Sequence, residues 1–500
     1  MKTLIYKIMS NKLTIALLTT AAICVISCQK DTKNLNNLPL QSVQKESNVK
    51  AGLKANAINY RASSEKSHQL LLTNQRVAKQ NIEKFMLERK QFSRPSSSGK
   101  SVIHVPEDYS TLQEAIDKSM DGGKIIIDGT VLQSGNVMID VPNLTIQGGD
   151  EKSSTINDNS NAGDNLIVTV SGVTIMNLTL LNFGIVINNT NNETLMNLNA
   201  SNSNPEILSI IALFGSNNIA VKNCNIGYSV LGVGGVTGIG IFLDDFSNNN
   251  EISNCKVSNT QFIAFGIEGS NNRINNCEAV NFNRGFYSQD GVSTGNIFTG
   301  CVANHSYGDA GFVFLNFSTN NTTVTLKNCT ANDNVAFASI VVYGGSVMIS
   351  NCTANSSIRN IYGDFGNYPA GIVIIGIGQT GEFANVSNCT ANSNANGGII
   401  IVDMNFLVTN NTCNKNLGAL PGSGVIALIS DNGLPMSGTL KGNITDSNTN
   451  NSIGIYLVGI TNSTITNNES LNNAVCDFDQ TNCSGNTVTN NKFGTSCTDL

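Results

Sequence analysis

Tryptophan is absent from this chain of 500 residues, and histidine nearly so: His68, His104 and His305 are the only three. A zinc helix of the HExxH type is excluded, and there is no CxxC pair and no Ser-centred nucleophile elbow. Charge is scarce as well. Asp, Glu, Lys and Arg make up 13% of the sequence, about half the usual share. The net charge of −6 gives no general attraction for nucleic acid. Gly99-Lys-Ser lacks the upstream glycine of a phosphate loop, which removes that route to nucleotide binding.

What the chain does contain is a repeat rich in Asn, Gly, Thr, Ile and Val. Its phrase is apolar-x-Asn-Cys-x-apolar, as in Val221-Lys-Asn-Cys224-Asn-Ile226, Ile252-Ser-Asn-Cys255-Lys-Val257 and Ile349-Ser-Asn-Cys352-Thr-Ala354. The cysteines at 224, 255, 277, 301, 329, 352 and 389 are 31, 22, 24, 28, 23 and 37 residues apart. A fixed unit with loops of variable length reads as a solenoid. The unit is too short for helix pairs, and β-branched residues favour strands, while Asn and Gly tolerate tight corners. A second strand opens on Gly before each phrase, at Gly240, Gly285, Gly311, Gly371, Gly398, Gly424 and Gly454. Each coil is therefore strand, turn, strand, corner, strand. Within the phrase the inward residues are three and then two apart, so an extra residue at a bend is needed to keep all three inside. Later coils carry Asn411, Asn468 and Asn491 where earlier ones carry Cys. That exchange predicts a stacked internal ladder, with amides bonded along the column and thiols acting as small hydrophobes.

This pattern resembles the right-handed parallel β-helix of the pectate-lyase-like superfamily, from about Ser101 to the C-terminus. The resemblance implies an all-β, single-stranded right-handed parallel β-helix solenoid with an N-terminal capping helix. Val102–Val105, a helix Thr111–Met120 opened by the capping box Ser110-Thr-Leu-Gln113 and closed by Asp121-Gly-Gly123, and Lys124–Ile127 resemble the superfamily's N-terminal cap. Such a cap covers the open edge of the first coil. Fourteen coils at ~4.8 Å each extend about 65 Å. The fold hosts lyases, hydrolases, esterases and adhesins, so it does not choose a chemistry.

Residues 1–28 stand apart. Lys2, Lys7 and Lys12 precede an apolar run, Leu13–Ile26, too short for a stable span. The ending Val25-Ile-Ser-Cys28 resembles the lipobox of bacterial lipoproteins, which implies a lipid on Cys28 and a bacterial cell envelope location, at the outer membrane. Residues 29–100 read as a tether with a spacer helix from Ser63 to about Gln91, apolar at Leu71, Ala78, Ile82 and Phe85. Residues 101–500 are the β-helix. Cys413 falls at the position of Ala391 rather than Cys389, and Cys476, Cys483 and Cys497 leave room for one disulfide over the last coils.

Candidate chemistry is thin. The methylesterase and polygalacturonase motifs of the superfamily are missing, although Asp244-Asp245 resembles one element of the latter. Asp245, Asp290 and Asp403 each lie five residues beyond a strand-opening Gly, as does Asn316. Asp245 and Asp290 are then two coils apart, about 10 Å, at the upper end of an inverting carboxylate pair. Arg284, His305, Tyr307 and Asp309 precede neighbouring strands and are placed toward the same groove, and the loop bearing Tyr362 and Asp364 is another binding candidate. Asp245, Asp290, Arg284 and His305 form the catalytic set, and Asp244, Tyr307, Asp309, Tyr362 and Asp364 the binding set. The alternative is that these Asp residues are solvated turn residues. No metal cluster is assigned. Calcium is a candidate ligand of the oxygen-rich segment Asn157–Asp164, for which an Asn-Gly turn is the alternative.

Two functions stay open. The superfamily resemblance implies a monomeric, envelope-anchored protein that binds or processes a carbohydrate polymer, as a uronate lyase or glycoside hydrolase. The other is a non-catalytic adhesive or structural rod, which the missing Trp and missing motifs favour.

Overall fold

Each coil contributes three short strands, and each strand pairs in parallel with its counterpart one coil on. In one coil these are Ala220–Lys222, Asn225–Tyr228 and Ile239–Leu243. The computed structural model describes residues 45–89, 99–149, 154–158, 164–203, 209–228, 238–289, 293–316, 322–336, 338–357, 370–379, 381–433 and 435–497. The chain is an all-β parallel solenoid of about 14 turns, with two helices among the described residues, α1 (Lys45–Arg89) and α2 (Leu112–Lys118). Residues 1–44 with Cys28, as well as Asp290, Tyr362 and Asp364, lie outside the described residues, as do 159–163 of the proposed calcium segment.

The corner inside the repeated phrase explains its spacing. Asn223, Asn254, Asn276, Asn328, Asn351 and Asn388, each just before a Cys, have φ between 52° and 55°. Gly300 (φ 64°) and Gly442 (φ 67°) take the same place in their coils. A left-handed residue costs little only for Gly or Asn. One such residue turns the chain, so Val221, Cys224 and Ile226 all reach the core, at most 2% exposed.

In-register stacking turns every inward position into a column. Phe265, Phe286 and Phe312 are successive partners, with ring centres 4.6 and 4.8 Å apart and planes within 11° of parallel. Cys224 through Cys389 form another column of free, buried thiols, and Cys301 donates to the Ile274 carbonyl at 3.3 Å. The column continues in amides. Asn411 Nδ2 donates to Asn443 Oδ1, Asn443 to Asn468 and Asn468 to Asn491, each at 2.9 Å. Asn443 also donates to the Val408 carbonyl and accepts from the Asn411 amide. A buried amide is tolerable only when its donors and acceptor are met in this way.

The N-terminal end is covered by a helix and the C-terminal coils are cross-linked. At the N-terminus α2 seats Leu112, Ala115 and Ile116 on the first coils, and Lys100–Val105 pairs with Ser119–Ile127. The N-cap is Thr111, whose hydroxyl accepts from Glu114 N, rather than Ser110, which bonds the Glu114 carboxylate. The helix stops at Lys118 because the next strand already begins at Ser119, three residues before Gly122. At the C-terminus Cys476 and Cys497 form a disulfide, leaving Cys483 free. Cys413 lies in register with Ala391, because Thr412 bridges Thr390.

One inward column carries a charge. Leu144, Val173, Glu193, Ile219 and Asn250 follow one another in register, and Glu193 is 1% exposed. Burial pushes its carboxyl up from 4.5 to about 7. A raised carboxyl favours the folded state below its unfolded value, and that stability is lost as pH rises through the folded value. Melting temperature should therefore fall between pH 4.5 and about 7, and Glu193→Gln should remove that slope; an unchanged slope in the variant contradicts the assignment. Separately, Asn443→Ala should cost about 2–3 kcal/mol by orphaning buried partners, more than Cys329→Ala, as read by urea unfolding.

Candidate functional site

The strands that open on Gly stack into one sheet, here the front sheet, whose outward residues form two columns. One runs Val186, Ala212, Phe242, Gly266 and Tyr287, and the other Asn188, Phe214, Asp244, Glu268 and Gln289. Gly266 is required at its place, since a Cβ there would lie 2.8 Å from the Phe242 ring. In later coils the same two columns become apolar, with Val313, Val341 and Val373 in one and Leu315, Tyr343 and Ile375 in the other. The polar stretch is thus a local feature of this face and not a demand of the fold.

Helix α1 lies on that stretch. Leu71 and Ile82 are buried in one cluster with Val186, Phe214, Phe242 and Tyr287, and Phe85 and Met86 pack against it. The Lys79 ammonium sits 2.5 Å from Asp244 Oδ2, and His68 Nδ1 is 3.7 Å from Glu268 Oε1. Arg89 pairs with Asp117 of α2. Leu71, Ala78, Ile82 and Phe85 do fall on one face, but that face is docked rather than free, so this part of the chain is no loose spacer. Once Leu71 and Ile82 are buried, Lys79 and Arg89 add ion pairs along the helix.

Asp244 is 3% exposed and heavily bonded. Its Oδ1 accepts from Gly215 N at 2.9 Å, Phe246 N at 3.3 Å and the Ser247 hydroxyl at 2.7 Å. Asp244 and Glu268 project from adjacent coils whose strands lie ~4.8 Å apart along the stack. Glu268 is not visible by counting from a strand-opening Gly, because its strand has none; aligning strand ends, Leu243-Asp244 with Ile267-Glu268, finds it.

Asp245, Asn316 and Asp403 share one register position, one residue beyond that column. Asp403, with φ 54°, accepts from Asp431 N at 2.7 Å and Asn432 N at 3.0 Å, and so closes a turn. A small recess beside this corner is lined by Ser288, Ser293, Asn316, Thr322 and Ser346 together with Phe314, Leu315, Val324 and Val342.

Arg284, Tyr307 and Asp309 gather at the opposite end of the strands. Gly285–Gln289 carries the strand from Arg284 to Gln289, the register partner of Glu268, roughly 17 Å at ~3.3 Å per residue, so these residues do not share a groove with Asp245. Arg284 Nε donates to Asp309 Oδ2 at 2.7 Å, and its guanidinium lies 5.3 and 5.0 Å from the Phe262 and Tyr287 rings. The Tyr307 hydroxyl donates to the Thr260 and Gln261 carbonyls, and burial raises it to about 12. His305 is turned outward, its side chain 72% exposed and 3.6 Å from Asp333. Among the described residues no three His, Cys, Asp or Glu converge as a metal site. Asp164 Oδ2 accepts from Gly135 N at 2.7 Å.

No protein-family model matches the chain, and no curated protein does. Solved structures do. The catalytic unit of a GH87 α-1,3-glucanase from Streptomyces thermodiastaticus is similar at 12% identity and TM-score 0.48, over 81% of this chain and 72% of that one. An alginate lyase from Paenibacillus aligns at 15% and 0.33, over 68% and 95%. The A-module of a mannuronan C-5 epimerase from Azotobacter vinelandii aligns at 11% and 0.34, over 82% and 99%. Likeness at this level carries no argument about chemistry; the parallel solenoid stands on its own strand register.

The Arg284–Asp309 pair should behave as architecture. Asp309→Ala leaves a buried guanidinium short of its carboxylate and should cost about 3–5 kcal/mol, whereas Asp245→Ala should cost under ~1 kcal/mol. Chemical unfolding of both variants checks this, and equal small losses contradict it.

Proposed function

We propose that this protein binds or processes a polysaccharide on the outer face of the front sheet, held at the bacterial envelope through a lipid on Cys28. The observation that carries this reading is the column Phe214, Asp244 and Glu268, which places two carboxylates on adjacent coils after an aromatic ring, with Phe242 and Tyr287 in the neighbouring column. Rings give sugars an apolar surface, and a carboxylate pair can divide acid and nucleophile roles. The same face argues for glycoside hydrolysis over uronate elimination. A uronate needs a free cation beside it, and Arg284 is committed to Asp309.

The rod reading has one observation behind it: Asp244 and Asp403 both serve as turn-closing acceptors. A panel of polysaccharides, read by reducing ends and by ultraviolet absorbance of unsaturated ends, separates the two. Turnover that falls about 100-fold or more in Glu268→Gln, in a protein that still melts cooperatively, supports a hydrolase. Binding without turnover leaves a carbohydrate-binding module, and neither binding nor turnover leaves the rod.

A further inference from the structure

Helix α1 offers cations to acids, Lys79 to Asp244 of the front sheet and Arg89 to Asp117 of α2, and its His68 ring faces Glu268. Lys79 is held by more than its ion pair. Its Nζ lies 5.0 Å from the centre of the Phe214 ring and 5.8 Å from that of Phe246. A carboxylate flanked by two ring faces suits an ammonium group. The cage also opens to solvent, with Phe246 69% exposed and the Lys79 side chain 36%. The buried cluster that holds Leu71 and Ile82 runs on through Val313, Val341 and Val373 of the later coils, and Lys79 meets the face where it is acidic and aromatic.

We propose that the Asp244–Phe214–Phe246 cage is a subsite for the ammonium group of an amino-sugar polymer, and that α1 occupies it through Lys79 as an internal competitor. This rests on the reading of the face as a glycan site and adds its charge preference and its control. An anionic uronate chain would meet Asp244 and Glu268 as like charges, whereas a glucosamine unit brings the ammonium that the cage already holds. A polycationic chain can replace Lys79 at Asp244 and reach Glu268 one coil on, because the acids recur along the stacking direction.

The test uses the full chain and titration calorimetry with glucosamine oligomers and with the matching N-acetylglucosamine oligomers. Lys79→Met keeps the aliphatic stem on Phe214 and removes the ammonium. It should tighten glucosamine-oligomer binding about tenfold, the scale of one desolvated cation–π contact, and leave the acetylated oligomers unchanged. Adding Asp244→Asn should abolish the gain. Hydrogen exchange of α1 amides in the unsubstituted protein should speed up with the glucosamine oligomer. If Lys79→Met does not fold, Lys79→Gln takes its place. Equal gains for both oligomers, or no gain for either despite binding, overturn the cation subsite while the glycan reading survives. No binding of either oligomer by any folded form, together with no hit in the polysaccharide panel, removes the glycan reading itself.

Discussion

Parallel stacking in register is the constraint from which the rest follows. Once each coil sits directly over the last, an inward residue must tolerate a copy of itself about 4.8 Å away. Few side chains do so well. Phenylalanine rings stack, thiols pack as small hydrophobes, and amides bond along the axis, as the Phe265–Phe286–Phe312, Cys224–Cys389 and Asn411–Asn491 columns show. The bend that keeps these columns inside depends on one left-handed Asn or Gly per coil. The abundance of Asn and the rarity of charge are two sides of this requirement.

The same stacking makes any outward deviation conspicuous. Along the front sheet an apolar face is the rule in the later coils, and acids, amides and aromatic rings interrupt it between Asn188 and Gln289. Burial of Asp244 beneath a helix is costly unless it is paired, and α1 supplies the partner in Lys79 while His68 faces Glu268. The helix and the acidic stretch form one electrostatic unit, and access to the face depends on how firmly α1 is held.

Much of this was legible in the sequence wherever neighbours in space are also neighbours in the repeat. The three-then-two spacing around each Cys announced the corner, the misplaced Cys413 kept its shifted register, and Cys476, Cys483 and Cys497 announced a terminal bridge, whose pairing needed coordinates. The candidate site was less legible. Asp244 and Lys79 are 165 residues apart, and nothing periodic links a helix to the coil it covers. Arg284 and Asp309 were placed toward the groove of Asp245 because they precede neighbouring strands, yet they are buried as a pair beside Phe262 and Tyr287. Glu268 escaped notice because its strand does not open on Gly, the landmark used to align the others.

Hydrogen–deuterium exchange of the full chain, with and without a polysaccharide that binds it, tests the central claim most directly. If the front-sheet face is the glycan site, protection should concentrate in the segments around Phe242–Phe246 and Gly266–Glu268, with faster exchange in α1. Protection confined to the loops around His305 or to the C-terminal coils, with α1 unchanged, would contradict the account.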